Sequence, residues 1–189
     1  ARGFAGARVE RIARRARVNK AMLYYHFKSK QGLYRELLRT TFTAVAERIR
    51  AVDQPGRSPE AMIEAAIAAM ADVASDYPFF PSVMLREVAE GGGHLDRDTL
   101  TAMSAVPLAF GALVQRGVAA GTFRPVHPLA AYFTVMAPLM LYMATAPIRR
   151  ELTDSRLLPV PPPDTDAFVV HLQQSTRRAL AHAAGETVK

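Results

Sequence analysis

The 189 residues include no cysteine, which excludes disulfides, thiolate metal sites and a cysteine nucleophile and fits a reducing, cytoplasmic compartment. Half are apolar, and alanine, leucine and arginine without β-branched runs predict an all-α fold. The net charge of +7 is uneven: residues 1–50 carry 13 Lys and Arg against 3 Asp and Glu, a net of +10, whereas 51–189 carry 11 against 14, a net of −3.

A basic head on a mildly acidic body points to a polyanion bound by the head, with a merely solvated basic face as the alternative. In residues 8–16, RVERIARRA, the spacing of Val9, Ile12, Ala13 and Ala16 predicts a short amphipathic helix. Asn19 caps a second helix that runs to about Phe27, and Ser29 caps a third, longer one reaching residue 52. DQPGRSP at 53–59 is a break and the expected edge between a head, 1–52, and a body, 53–189.

The body reads as further helices at 59–77 and 80–90, a glycine turn at 91–93, and a helix capped by Asp96 that ends near Gly121. Residues 129–148 hold no charge over 20 positions, a length that spans a bilayer. Pro138, the alanines and the threonines favour instead a helix buried in a helical body, and Pro147 ends or bends it. PVPPP at 159–163 is a stiff linker. A last helix is expected from Asp164 to Gly185. The start of the sequence shows no apolar secretory segment.

Two short helices joined by a tight turn make a helix-turn-helix. Projected at about 100° per residue, the second helix turns Leu23 and Phe27 inward against Ile12, Ala16 and Val18. Ala21, Met22 and Tyr25 point outward, and Lys20, Tyr24 and His26 lie on the flanks. In a major groove the outermost positions meet base edges and the flanks meet phosphates. Lys20 and Lys30 sit near helix N-termini, where backbone N–H groups also favour phosphate.

At these residues the chain resembles the TetR family of bacterial transcriptional regulators: GF at 3–4, then VERIARRARVNKAMLYYHFKSKQGLYRELL at 9–38, with LYYHFKSK as its most specific part. The motif covers about the first fifth of the chain. The resemblance implies an N-terminal helix-turn-helix domain and a C-terminal helical domain for ligand binding and dimerisation. It implies a homodimer that binds double-stranded, palindromic operator DNA and releases it when a small-molecule effector enters the body. By match to the motif, Lys20, Ala21, Met22, Tyr24, Tyr25, His26 and Lys30 are the implied DNA contacts, with Arg8 at the preceding helix start. Three positions depart from the pattern. The family carries a complete helix before the glycine–aromatic pair, and this sequence begins at its end. Arg17 replaces a turn glycine, so a strained or altered turn is expected. Ala7 replaces a capping threonine.

An apolar ligand site needs apolar walls and a few polar groups. Phe80, Met84, Met103, Phe110, Tyr132, Met136 and Met140 are the candidate walls, with core packing as the alternative for each. Arg86, Glu87, His94, Tyr132 and Tyr142 are candidate polar markers. In the last helix Phe168, His171, Leu172, Ser175 and Ala179 form a stripe suited to a dimer interface or to packing on its own subunit. His94, Asp96 and Asp98 in GGGHLDRD read as a capped helix start rather than a metal site, and no metal or cofactor is expected. No nucleophile signature or phosphate-cradling glycine loop suggests an enzyme. The rival readings are a helical small-molecule carrier with an incidental basic head and a membrane-anchored helical protein.

Overall fold

The computed structural model describes residues 3–182, and among them the secondary structure is helical without a strand. In chain order the helices are α1 (Gly3–Gly6), α2 (Val9–Ala16), α3 (Lys20–Phe27), α4 (Lys30–Ala51), α5 (Pro59–Asp76), α6 (Phe80–Ala89), α7 (Arg97–Ala119), α8 (Pro128–Ala144), α9 (Ala146–Asp154) and α10 (Thr165–Leu180). Helix starts follow local chemistry. Asn19 Oδ1 accepts from Ala21 N at 2.8 Å, Ser29 Oγ from Gly32 N at 2.9 Å, Asp96 Oδ1 from Thr99 N at 2.9 Å and Asp164 Oδ1 from Ala167 N at 2.8 Å. Each bond satisfies an N–H that the first helical turn leaves without a partner.

The helix-turn-helix closes at Arg17, which adopts the left-handed conformation (φ 55°, ψ 36°) that a turn glycine would take. Val18 N then donates to Ala13 O at 3.0 Å, the bond that seals such a helix end. Ala16, in the last turn of α2, and Val18, just beyond Arg17, are both exposed, so they do not join the packing expected of them. Val9 and Ala13 are the buried residues of α2. Leu23 and Phe27 are half-buried, as their inward projection requires. Gly32 permits the close approach of α3 to α4: a Cβ there would lie 2.0 Å from the Phe27 carbonyl oxygen.

α4 runs from the head into the body. Leu38, Phe42, Val45, Ala46 and Ile49 on it join Met62, Ile63, Ile67 and Met70 of α5 and Val106, Phe110, Leu113 and Val114 of α7 in one core. The 53–59 segment therefore connects two helices that share a core. Gly117 of α7 sits where any Cβ would meet the Phe123 ring at 2.0 Å, which seats the 120–127 loop. That loop receives the end of α10. Arg124 N donates to Leu180 O at 2.9 Å, and Arg124 Nε donates to Ala179 O at 2.8 Å. The helix stops at Leu180 with Ala181 extended, earlier than the expected Gly185, which lies outside the described residues.

The uncharged stretch is broken. α8 ends at Ala144, and Pro147 opens α9, bent from it by 52°. Pro107 and Pro138 lie inside α7 and α8. Among the described residues α7 is the single straight helix long and apolar enough to cross a membrane, and it supplies much of the core here.

Head and body meet at a buried carboxylate. Glu87 of α6 is 1% exposed. It accepts from the Tyr34 hydroxyl of α4 at 2.8 Å and from His94 N at 2.9 Å, and the His94 ring Nδ1 lies 3.1 Å away. Burial alone would raise its pKa; the donors from His94 and Tyr34 outweigh it and hold the carboxyl below its usual value. Phe4 of α1 packs on the His94 ring at 4.2 Å and on Tyr34 at 5.2 Å. Arg35 adds a bond from Nε to His94 O at 2.8 Å and an ion pair with Asp96 at 3.3 Å.

Two outcomes follow for stability. Arg17→Gly removes the cost of a left-handed arginine, so it should stabilise the chain by about 0.5–1 kcal/mol. Thermal unfolding should register a rise of about 1–4 °C. Tyr34→Phe removes one of the two donors that reach Oε2 of a buried carboxylate and leaves it to the His94 ring alone, and urea unfolding should show a loss of about 1–2 kcal/mol.

Candidate nucleic-acid interface

The eight residues of α3 bury none of their side chains fully. Ala21, Met22, Tyr24, Tyr25 and His26 are exposed, and Tyr25, at 74%, is the most open large hydrophobic side chain among the described residues. A helix that gives two half-buried residues to its own domain and keeps a phenol, a thioether and an imidazole in water presents a surface for a partner.

Cations border this face. Lys20 pairs with Glu10, and that contact lowers the Glu10 pKa and raises that of Lys20. Its Nζ also lies 5.6 Å from the Tyr24 ring centre. Lys28 donates to Tyr25 O at 2.8 Å and lies 5.2 Å over the Tyr25 ring. Arg8 stands exposed at the start of α2, where its side chain makes no capping bond. Lys30 differs from the rest: it is half-buried, with Nζ 4.5 Å above the Phe4 ring. Structure thus groups Arg8, Lys20, Ala21, Met22, Tyr24, Tyr25 and His26 as exposed residues of α2 and α3, with Lys30 set back at the α1–α4 contact. Lys28 also belongs with this group. Its place beside Tyr25 and His26 in LYYHFKSK was the available signal; it stands one residue past α3 with φ 62°.

In the body the candidate ligand residues divide by burial. Phe80, Met84, Phe110 and Tyr132 are buried, whereas Met103, Met136 and Met140 are half-buried and packed on the same core. Phe80 meets Phe42 edge-on at 5.4 Å, and Phe110 meets Tyr132 at 6.1 Å. Burial pushes the Tyr132 phenol well above its ordinary pKa, and among the described residues nothing hydrogen-bonds its hydroxyl. Glu87 and His94 are engaged with Tyr34 and each other at the head–body junction. Tyr142 is stacked on Phe168 at 3.8 Å with Arg149 3.5 Å from its ring centre, and its hydroxyl bonds Pro163 O. Two surface clefts lie elsewhere. One, of about 240 Å³, is lined by Arg50, Asp53, Leu108, Ala109, Ala112 and Leu113; the other, of about 450 Å³, by Ser58, Glu60, Thr122, Phe123, Arg177 and Ala181.

The α10 stripe splits. Leu172 is 6% exposed and belongs to the subunit's own core, so this chain already covers it. Phe168 and Ser175 are half-buried, while His171 and Ala179 are exposed. Val170, which the sequence reading passed over, is half exposed beside His171. On α8, Phe133 and Leu141 are each 56% exposed, and Ala137 lies between them.

Residues 1–37 match the family described as bacterial regulatory proteins of the tetR family, and residues 59–158 match the tetracyclin repressor-like C-terminal domain. The chain belongs to the TetR family. It is 29% identical over 155 residues to the HTH-type transcriptional regulator RutR of Escherichia coli K12, covering 82% of this chain and 73% of that one. It is 27% identical over 124 residues to the HTH-type transcriptional repressor NicS of Pseudomonas putida, covering 65% and 58%. In fold it is similar to the TetR family regulator PfmR of Thermus thermophilus, with a TM-score of 0.69, 20% identity and coverage of 93% and 90%. It is likewise similar to the ketosteroid transcriptional regulator KstR2 of Mycobacterium tuberculosis, with a TM-score of 0.69, 15% identity and coverage of 95% and 87%. As a TetR-family transcriptional regulator, the chain carries its helix-turn-helix in α2 and α3.

Substitutions at Tyr25 and Lys30 test whether base reading and phosphate anchoring fall on different residues. Tyr25→Ala should weaken binding to the cognate operator by about tenfold or more and leave random duplex nearly unaffected, because base contacts carry the sequence information. Lys30→Ala should weaken both alike. Fluorescence anisotropy on the two duplexes makes the comparison.

Proposed function

We propose that this regulator is a homodimeric repressor that binds a palindromic operator through α3 and leaves it when a small apolar ligand enters the body. The observation that carries the reading is the exposed face of α3, where Ala21, Met22, Tyr25 and His26 lie open between Lys20 and Lys28. Ala21 allows close approach to base edges, and Tyr25 brings a ring and a hydroxyl to them. Arg8, Lys20 and Lys30 anchor phosphates. The protein works in the cytoplasm, where operator and effector are both present.

The dimer forms through the open faces of α8 and α10. Phe133, Ala137 and Leu141 supply the apolar part, and Val170, His171 and Ala179 supply the second helix. Small residues at 137 and 179 let helices of two subunits approach closely. Phe133→Glu places an unpaired carboxylate in that contact, a cost of several kcal/mol. Since Phe133 is exposed in the single chain, sedimentation should show a folded monomer.

The effector lies among Phe80, Met84, Met103, Phe110, Tyr132, Met136 and Met140. Tyr132 is the donor we assign to it: its ring is buried, its hydroxyl has no protein partner, and since no buried polar side-chain atom among the described residues goes unpaired, that hydroxyl reaches solvent, where an acceptor on the ligand can replace water. The relatives named as regulators and repressors support the class of function and leave the effector's chemistry to this residue set.

Salt dependence tests the DNA reading. With about four phosphates neutralised per subunit, the log–log slope of operator affinity against salt should be near −7 for a dimer. Titration between about 50 and 200 mM salt measures it, and a slope near zero would leave the carrier reading.

A further inference from the structure

The junction between head and body carries more ligating chemistry than a hydrogen-bonded latch requires. Glu87 and Glu90 stand one turn apart at the end of α6. The chain then reverses through Gly91 and Gly92, with φ of 72° and 77°, which glycine adopts without strain. Gly92 N donates to Glu87 O at 2.8 Å, and the reversal returns His94 to the two carboxylates. The imidazole Nδ1 lies 3.1 Å from Glu87 Oε2 and 3.6 Å from Glu90 Oε2, and one donor atom from each residue falls within 4.8 Å of the others.

A ring nitrogen carries at most one proton, which serves one carboxylate at a time. Here two carboxylates converge on one nitrogen. Arg35 of α4 is directed to His94 O and Asp96. Tetrahedral zinc–oxygen and zinc–nitrogen bonds of about 2.0–2.2 Å place neighbouring ligands about 3.3–3.6 Å apart. The two separations from Nδ1, 3.1 and 3.6 Å, lie close to those values, and the two carboxylates lie within 4.8 Å of each other. Tyr34 donates to Glu87 and orients its carboxylate, as outer groups do around metal ligands, and Phe4 covers one face of the imidazole.

We propose that Glu87, Glu90 and His94 bind one divalent transition-metal ion, with water completing the coordination. One imidazole and two carboxylates favour Zn²⁺ over Mn²⁺ in affinity and suit Mg²⁺ poorly. Because Tyr34 and Phe4 belong to α4 and α1, an ion that fixes Glu87 and His94 also holds the head against the body. The site itself does not rest on the DNA-binding reading.

The test uses the full, untagged chain after removal of metal by chelation and dialysis. Calorimetric titration with ZnCl₂ alone should show one ion per chain. Glu90→Gln and His94→Gln should each weaken binding by about tenfold or more. Glu90 is exposed, so its variant keeps the fold; circular dichroism checks the histidine variant. Hydrogen exchange of residues 3–38 should slow on adding ZnCl₂ to the parent and stay unchanged in Glu90→Gln. Absence of saturable one-per-chain binding, or binding that neither variant alters, overturns the site. Binding without slower exchange in the head overturns the clamp.

Discussion

The buried carboxylate of Glu87 is the constraint that joins the two halves of the molecule. A charge taken out of water is costly unless hydrogen bonds replace its hydration. Those donors come from different places: the Tyr34 hydroxyl from α4, and the His94 backbone and ring from the turn after α6. The bond from Tyr34 spans 53 residues, so it forms only when the head is docked. Phe4 adds apolar contact over the same ring, and Lys30 in turn lies over Phe4. A head held mainly by apolar contact could slide with little loss. A head held through a carboxylate with fixed donors has one favoured position, because displacement strands a buried charge.

The consequences differ along α4. Its first turns meet Glu87 and the head, and its later turns are packed between α5 and α7. Leu38, Ala46 and Ile49 are fully enclosed, so movement there requires the neighbouring helices to repack. Close-packed cores respond by discrete rearrangement rather than by gradual bending. A change in packing around Phe110 and Tyr132 can reach the head along α4, which packs on α7, or along α6, which packs on α8 and carries Glu87. The two routes meet at the bond from Tyr34 to Glu87.

Much of this was legible in short stretches of sequence. Asn19, Ser29, Asp96 and Asp164 each cap a helix as expected, because capping is settled within three residues. The inward turn of Leu23 and Phe27 and the openness of Tyr25 follow from helical period alone. Non-local features were not legible. Ala16 fits the apolar period of α2 and Val18 was expected to pack against Leu23 and Phe27, but both are exposed, Val18 just beyond the left-handed turn at Arg17. Leu172 fits an interface stripe by spacing and is covered by its own subunit instead. The end of α10 is decided by Arg124, 55 residues earlier, rather than by a local stop signal. His94 drew attention beside Asp96 and Asp98. The glycine turn pairs it instead with Glu87 and Glu90, behind it in sequence, and leaves Asp96 as a cap and Asp98 3.8 Å from Arg39.

These misses share a cause, and it bears on how such a regulator can vary. Local signals determine that α3 forms and which of its faces is open, so its outer residues can change with the operator while Leu23 and Phe27 hold its place. Long-range contacts determine where the helix stands relative to the body, and they concentrate in Glu87, Tyr34 and His94. The reading surface depends on period and capping, which any single substitution on the open face leaves intact. The placement of that surface depends on a few polar groups that are buried, mutually satisfied and sensitive to the loss of any one partner. Under the function proposed above, sequence preference and switching rest on different residues, and a change in one need not disturb the other.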